Sequence, residues 1–209
     1  MSAKYLRVNL EDMIEIYGED KTKSILADFS CPKNKDVENF LKFKAIEFSR
    51  QSIAKTQLIY YVEDEENPAE SKRLAGYFSL THKTINVSKQ ALSNKLKTRI
   101  RRFAKNNIAD DCYSLPVILI GQISKNYTDG NNELIEGSSL LELAFQSITI
   151  VQKYIGGKFV YLESEDKECL ANFYRANGFS QFGKRELDRD EVDLDGKYLL
   201  QWICYMGRK

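Results

Sequence analysis

The spacing of apolar positions changes several times along the chain, and each change marks an element. Leu10, Met13, Ile14 and Tyr17 recur at helical spacing behind Asn9, a side chain suited to cap a first turn, and predict a short helix. Val37, Phe40, Leu41, Ala45 and Phe48 repeat that spacing after Asp36 and predict a second, longer one. The pattern then changes: residues 56–62 (TQLIYYV) and 74–80 (LAGYFSL) are rich in aromatic and branched side chains, as two antiparallel strands would be. Between them EDEENPAESKR carries a proline and five acidic groups, which suits a long exposed hairpin loop.

Helical spacing returns at 89–107, where Leu92, Leu96, Ile100 and Phe103 share one face and seven basic residues stand without an acid, predicting an amphipathic basic helix. Residues 115–123 (LPVILIGQI) form a continuous apolar run, the mark of a strand buried on both faces in the middle of a sheet. A helix at 137–154 follows through Leu140, Leu141, Ala144, Ile148 and Val151, and Gly156 with Gly157 stops it before a strand at 158–162. Strand, helix, strand in this order favours a parallel pair. A last helix at about 166–177 and two strands at about 182–187 and 198–206 complete the pattern.

A chain of 209 residues with 43% hydrophobic content is enough for one good core, so a single domain over 1–209 is expected, with a basic helical insertion at about 88–110. The 31 basic and 30 acidic side chains nearly cancel, so any binding to a polyanion has to be local. Cys31, Cys112, Cys169 and Cys204 are far apart and lack the spacing of a metal site; they read as reduced, mostly buried thiols of a cytoplasmic protein. The N-terminus is charged and the late apolar stretch at 198–206 is too short to span a bilayer, so no membrane association is expected. His82 is the only histidine, which excludes a histidine-based triad or a multi-histidine metal site. The stretch EVDLDG at 191–196 has the look of a calcium loop, but its twelfth position is Trp202 where a bidentate glutamate is needed.

Two stretches resemble the GNAT acyl-CoA-dependent N-acetyltransferases: VILIGQIS leading through NNELIEGSS into the helix SSLLELAF, and KFVYLESEDKECLANFYRANGF with its Phe173, Tyr174, Gly178 and Phe179. Gly178 and Phe179 alone are a helix stop. The resemblance implies a mixed α/β acyltransferase fold, a twisted mixed sheet flanked by helices, and acetyl-CoA as co-substrate. It places the phenol of Tyr174 near the thioester sulfur, where a side chain with an ordinary pKa of about 10 can protonate the departing thiolate. Read from the residues alone, Tyr174 is one of twelve tyrosines and packs as a core ring. The resemblance further implies that the backbone of Ile123, Ser124 and Lys125 binds the pantetheine arm like an added strand, and that the loop and helix start bind the pyrophosphate. In the phosphate-loop pattern Asn132 takes the glutamine or arginine place, Ile135 the first glycine place and Gly137 the second, with Ser138 and Ser139 adding hydroxyls and Glu133 and Glu136 adding negative charge. Lys167 stands where an asparagine is usual and is a candidate partner for a cofactor phosphate. Glu163, at the end of its strand, is a candidate base acting through water, and strand amides would stabilise a tetrahedral intermediate.

Within this class, DFSCPKNKDVENFLKFKAIEFSR resembles the start of toxin-type members encoded beside an antitoxin, through Phe29, Cys31, Phe40, Leu41, Ala45 and Thr56. Those relatives acetylate aminoacyl-tRNA, and the likeness implies phosphate contacts from Lys95, Arg99, Arg101, Arg102 and Lys105. The arginine usual on their strand before the loop is Gln122 here. The expected activity is therefore acetyl transfer to a small-molecule or peptide amine by direct attack. The alternatives are a toxin acting on aminoacyl-tRNA, with an antitoxin partner, and a GNAT fold that serves only as a binding or regulatory module. A homodimer through the terminal strands would be ordinary for such a domain.

Overall fold

The computed structural model describes residues 5–64, 71–188, 194 and 196–207, so most of the acidic connection and of the 191–196 stretch lies outside the described residues. The chain divides into two compact units, Met1–Thr81 with Ile120–Ser147, and His82–Leu119 with Ile148–Lys209.

In the first unit, strand β1 (Tyr5–Asn9) pairs antiparallel with β2 (Lys55–Val62), and β2 pairs antiparallel with β3 (Lys72–Ser88), with a bulge at Ile59 and Tyr60. Helices α1 (Leu10–Tyr17), α2 (Glu19–Ala27), α3 (Lys35–Asn39) and α4 (Ala45–Arg50) lie between β1 and β2 in sequence. Asn9 caps α1 as expected, its side chain accepting from Glu11 N–H at 3.0 Å. The helix expected after Asp36 is broken by a π-helical turn at Phe40–Lys44. That extra residue shifts the phase, so Leu41 and Ala45 are fully buried while Phe43 turns outward. The core gathers Leu10, Leu26, Phe29, Leu41, Leu58 and Tyr77.

In the second unit, β5 (Cys112–Lys125) runs parallel to β6 (Phe159–Ser164), β6 pairs antiparallel with β8 (Tyr198–Tyr205), and β8 pairs antiparallel with β7 (Ser180–Glu186). The short β4 (Lys105–Asn107) pairs with β5. The single basic helix expected at 89–107 is three pieces: a 3-10 turn at Lys89–Ala91, helix α5 (Asn94–Ile100) and β4. Ser93 divides the first two, its hydroxyl accepting from Leu96 N–H at 3.3 Å as an N-cap. Leu92, Leu96 and Ile100 are nevertheless buried, against Tyr113, Leu115, Phe159 and Tyr161.

The strand order is β1-β2-β3-β5-β6-β8-β7, with β5 fourth of the seven in that path, as its apolar run predicts. Strands β3 and β5 and helix α6 (Gly137–Ile155) continue from one unit into the other. Helix α7 (Glu168–Ala176) follows β6 and ends at Gly178, φ 86°, the left-handed stop expected there. No helix among the described residues is long and apolar enough to cross a membrane.

Candidate active site

The parallel ladder between β5 and β6 consists of Ile118↔Val160 and Leu119↔Tyr161 and ends there, although β5 runs on to Lys125 and β6 to Ser164. Beyond Leu119 that edge of β5 therefore has amide and carbonyl groups outside any ladder among the described residues, Ile123, Ser124 and Lys125 included. The strand end is held firmly from its other neighbours. Gly76 of β3 lies so near that a Cβ there would meet Ser124 O at 2.6 Å and the Lys125 Cα at 3.2 Å. Asn126, buried and unmarked by any sequence pattern, ties the end down. Its Oδ1 accepts from Ser30 N–H (3.1 Å) and Thr128 N–H (3.2 Å), its Nδ2 donates to Leu74 O (3.0 Å), and its backbone N–H donates to Ala75 O (2.8 Å).

The connection from β5 to α6 is a distorted 3-10 segment, Thr128–Glu133, in which Asp129 and Gly130 take positive φ. Asn131 is buried there with its Oδ1 unpartnered among the described residues. Asn132 is half-buried. Ile135, in the place of the usual first glycine, is only 1% exposed and fills the core. Glu133 and Glu136 are exposed, so neither carboxylate is folded into its own loop. Helix α6 starts at Gly137 with Ser138 exposed and no acid in its first turn, and its 19 residues give it a full dipole. The donor set offered is backbone amides and serine hydroxyls, which suits a diphosphate without reading it through a cationic side chain.

In the second unit, Tyr174 projects from α7, 6% exposed, with its ring against Phe179 (5.7 Å between centroids) and Trp202 (5.8 Å). Its hydroxyl has no hydrogen-bond partner among the described residues, and burial pushes the phenol up to about 12. Trp202 Nε1 donates to Ser164 Oγ at 3.0 Å and pairs with Leu162 in register, so Tyr174 lies on the face of β6 and β8 that carries Leu162 and Ser164.

Glu163 is on the opposite face of that strand pair, with Tyr161 and Gln201. Its carboxylate takes two hydrogen bonds from Arg185, Nε to Oε1 at 2.9 Å and Nη2 to Oε2 at 3.0 Å, and a further one from the Tyr161 hydroxyl. Burial raises its pKa, but these donors outweigh burial and hold the carboxyl below its ordinary range. A carboxylate so occupied is a weak proton acceptor. No sequence pattern marks Arg185; only the strand pairing reveals it. Lys167 bonds to Glu165, Nζ to Oε2 at 3.0 Å, beside the start of α7.

On and after α5, Lys95, Arg99, Arg101, Arg102 and Lys105 are exposed, and none forms an ion pair among the described residues. Cys31 and Cys112 are buried, Cys204 is half-buried, and Cys169 is exposed, against the expectation of mostly buried thiols only at the last.

The strand order, the short parallel ladder at its middle and the strand, helix, strand, helix run from β5 to α7 make this the fold of the GNAT acyltransferases. No protein-family model and no curated protein matches the sequence. Among solved structures the chain is similar to a tyrosine-to-phenylalanine mutant of KacT, with 16% identity, a TM-score of 0.60, and 95% of this chain and 94% of that chain covered. It is similar to AtaT complexed with acetyl-methionyl-tRNAfMet at 15% identity and a TM-score of 0.58, over 94% of this chain and 93% of that chain. It is also similar to AtaTR bound with acetyl-CoA at 12% identity and a TM-score of 0.52, over 95% and 92%. At such identities the likeness is one of fold.

Proposed function

We propose that the protein is an acetyl-CoA-dependent N-acetyltransferase that transfers the acetyl group to an amine by direct attack. The observation that carries this is Tyr174: a buried phenol on α7 whose hydroxyl has no hydrogen-bond partner among the described residues, in a fold that covers more than nine-tenths of a structure holding acetyl-CoA. When bound, acetyl-CoA supplies an activated acyl thioester. The first unit contributes the unladdered backbone of Ile123, Ser124 and Lys125 for the pantetheine arm, and the amides around Gly137 with the Ser138 hydroxyl and Asn132 for the diphosphate.

The second unit contributes Tyr174. A phenol at about 12 stays protonated at neutral pH, and full transfer to a thiolate with an ordinary thiol pKa of about 8.5 is uphill, so its main contribution is a hydrogen bond to the developing thiolate. Glu163, already occupied by Arg185, orders that strand end and takes no proton step. Lys167, paired with Glu165 directly before α7, is assigned to the cofactor's phosphates. A cytoplasmic setting goes with this reading, since all four cysteines are free. The test is calorimetric titration with acetyl-CoA: binding in the micromolar range is expected, and no heat at millimolar cofactor removes the enzyme reading.

A second reading is favoured by the basic surface on and after α5, whose five exposed cations form no ion pair among the described residues. The protein would then be a toxin that acetylates the free amine of aminoacyl-tRNA, held through Lys95, Arg99, Arg101, Arg102 and Lys105 without reading sequence. AtaT, a structure of similar fold, is complexed with an acetylated aminoacyl-tRNA. An antitoxin is the partner expected in that setting, and a homodimer is compatible with both readings. Expression that arrests translation supports it; unaffected growth counts against it. The non-catalytic module is the reading left if acetyl-CoA binds without turnover on any amine.

A further inference from the structure

Resting on the transferase reading above, we propose that Asp36, oriented by Gln122, binds the acceptor as a protonated primary amine. Helix α3 carries two carboxylates in very different surroundings. Glu38 is buried and fully engaged: Oε2 accepts from Cys31 N–H (2.8 Å) and Lys35 Nζ (3.2 Å), and Oε1 from Lys42 Nζ (3.1 Å). Asp36 is half-buried, and among the described residues its carboxylate has one neutral partner, Gln122 Nε2, which donates to Oδ2 at 3.0 Å. Among the described residues its Oδ1 accepts no hydrogen bond and the carboxylate joins no ion pair. An amide fixes the orientation of the carboxylate and leaves its charge intact.

Gln122 belongs to the part of β5 beyond the end of the parallel ladder, directly before Ile123, Ser124 and Lys125. Gln122 and Ser124 point to one face of the strand. There Gln122 meets Asp36, and the Ser124 hydroxyl lies 3.2 Å from Cys31 Sγ. The segment 31–36 therefore borders the strand assigned to the thioester arm, and all of these residues are in the first unit. The segment is rigid: Asn34 caps α3 by accepting from Val37 N–H at 3.1 Å, and the Tyr77 hydroxyl donates to Val37 O at 2.6 Å.

An aliphatic or α-amino acceptor reaches the protein largely as an ammonium ion, with a pKa of about 8 to 10. A fixed carboxylate with a free oxygen beside the thioester strand gathers such a cation and takes one of its three protons in a hydrogen bond. The same group discriminates against hydroxyl and amide acceptors, which bring no charge to offset its desolvation. Asp36 thus selects primary ammonium acceptors.

The experiment uses the full chain with radiolabelled acetyl-CoA and three probes: a pool of aminoacyl-tRNA, a lysine-containing peptide and spermidine. Asp36→Asn keeps the shape and the bond to Gln122 while removing the charge. It is expected to raise KM for the acetylated amine about tenfold, with kcat within about twofold and the acetyl-CoA Kd from calorimetry unchanged. Gln122→Met is expected to raise the same KM about threefold by freeing the carboxylate. An unchanged acceptor KM in Asp36→Asn overturns the proposal, and so does a loss of activity that tracks a loss of acetyl-CoA affinity. Wild-type protein that binds acetyl-CoA but acetylates none of the three amines overturns the acceptor class alone. Wild-type protein that does not bind acetyl-CoA removes the transferase reading, and this one with it.

Discussion

Burial drives both Tyr174 and Glu38 toward their uncharged forms, and the groups around each decide its protonation. Tyr174 packs against the rings of Phe173, Phe179 and Trp202 and stays a phenol, pushed up by burial to about 12. Tyr174→Phe removes one hydroxyl from a packed site, so turnover is expected to fall about 10- to 100-fold with KM for acetyl-CoA unchanged. Steady-state kinetics with varied cofactor reads both, and an unchanged turnover number takes the phenol out of the mechanism. For Glu38 burial is opposed by the Cys31 amide and by Lys42 and Lys35, which bring the carboxyl down from 4.5 to about 2. A depressed carboxyl adds stability that is present above 4.5 and is lost as the pH falls through about 2. Glu38→Gln should therefore lower the urea midpoint at pH 7, and the gap to the wild type should close across that acid window. A gap independent of pH would mean that shape, not charge, is what Glu38 supplies.

Among the elements, the strands and helices with long, regular apolar spacing are legible in the sequence, and those with short or interrupted spacing are not. The apolar run at 115–123 and the helix before Gly156 are where their patterns put them, because buried faces leave little freedom in register. Strand β1 escapes the pattern: five residues with Leu6 and Arg7 exposed carry too little alternation to distinguish an edge strand from a charged tail. The basic segment misleads for a different reason. Its apolar residues keep helical spacing across Ser93, but the capping bond restarts the backbone there. Ser93→Ala should cost about 1 kcal/mol of stability, seen in a denaturant melt. The tightest approach between elements is at Gly76, where an added methyl would press on the backbone of β5. Gly76→Ala is expected to destabilise by about 1–3 kcal/mol. It should also weaken acetyl-CoA binding, because the displaced residues are Ser124 and Lys125; a stable variant with unchanged affinity would separate that strand from the cofactor.

On the scale of the whole molecule the net charge of +1 hides an uneven distribution, since five exposed cations on and after α5 have no ion-pair partner among the described residues. If these hold RNA, the double variant Arg101→Glu, Arg102→Glu should relieve growth arrest. It should also lower the slope of log binding constant against log salt by about 1 for each phosphate no longer held. Arrest that persists in the double variant would separate toxicity from this surface. The fold is readable from sequence because it rests on apolar spacing. Tyr174 is found through its neighbours, whereas Arg185, Asn126 and the pairing of Asp36 with Gln122 join residues 22 to 96 positions apart, which no local spacing reveals. The early end of the β5–β6 ladder has a consequence for how such a protein changes over generations. Groups offered by the main chain are the same whatever side chain accompanies them, so Gly121, Ile123 and Lys125 can be replaced while the hydrogen-bonding edge persists, whereas Ile120 is held by the core and Gln122 by its bond to Asp36. Sequence likeness can then drift down to about one residue in seven, as with AtaT, while the fold stays recognisable. Mutational scans at those three positions should tolerate most substitutions other than proline, which alone deletes the amide.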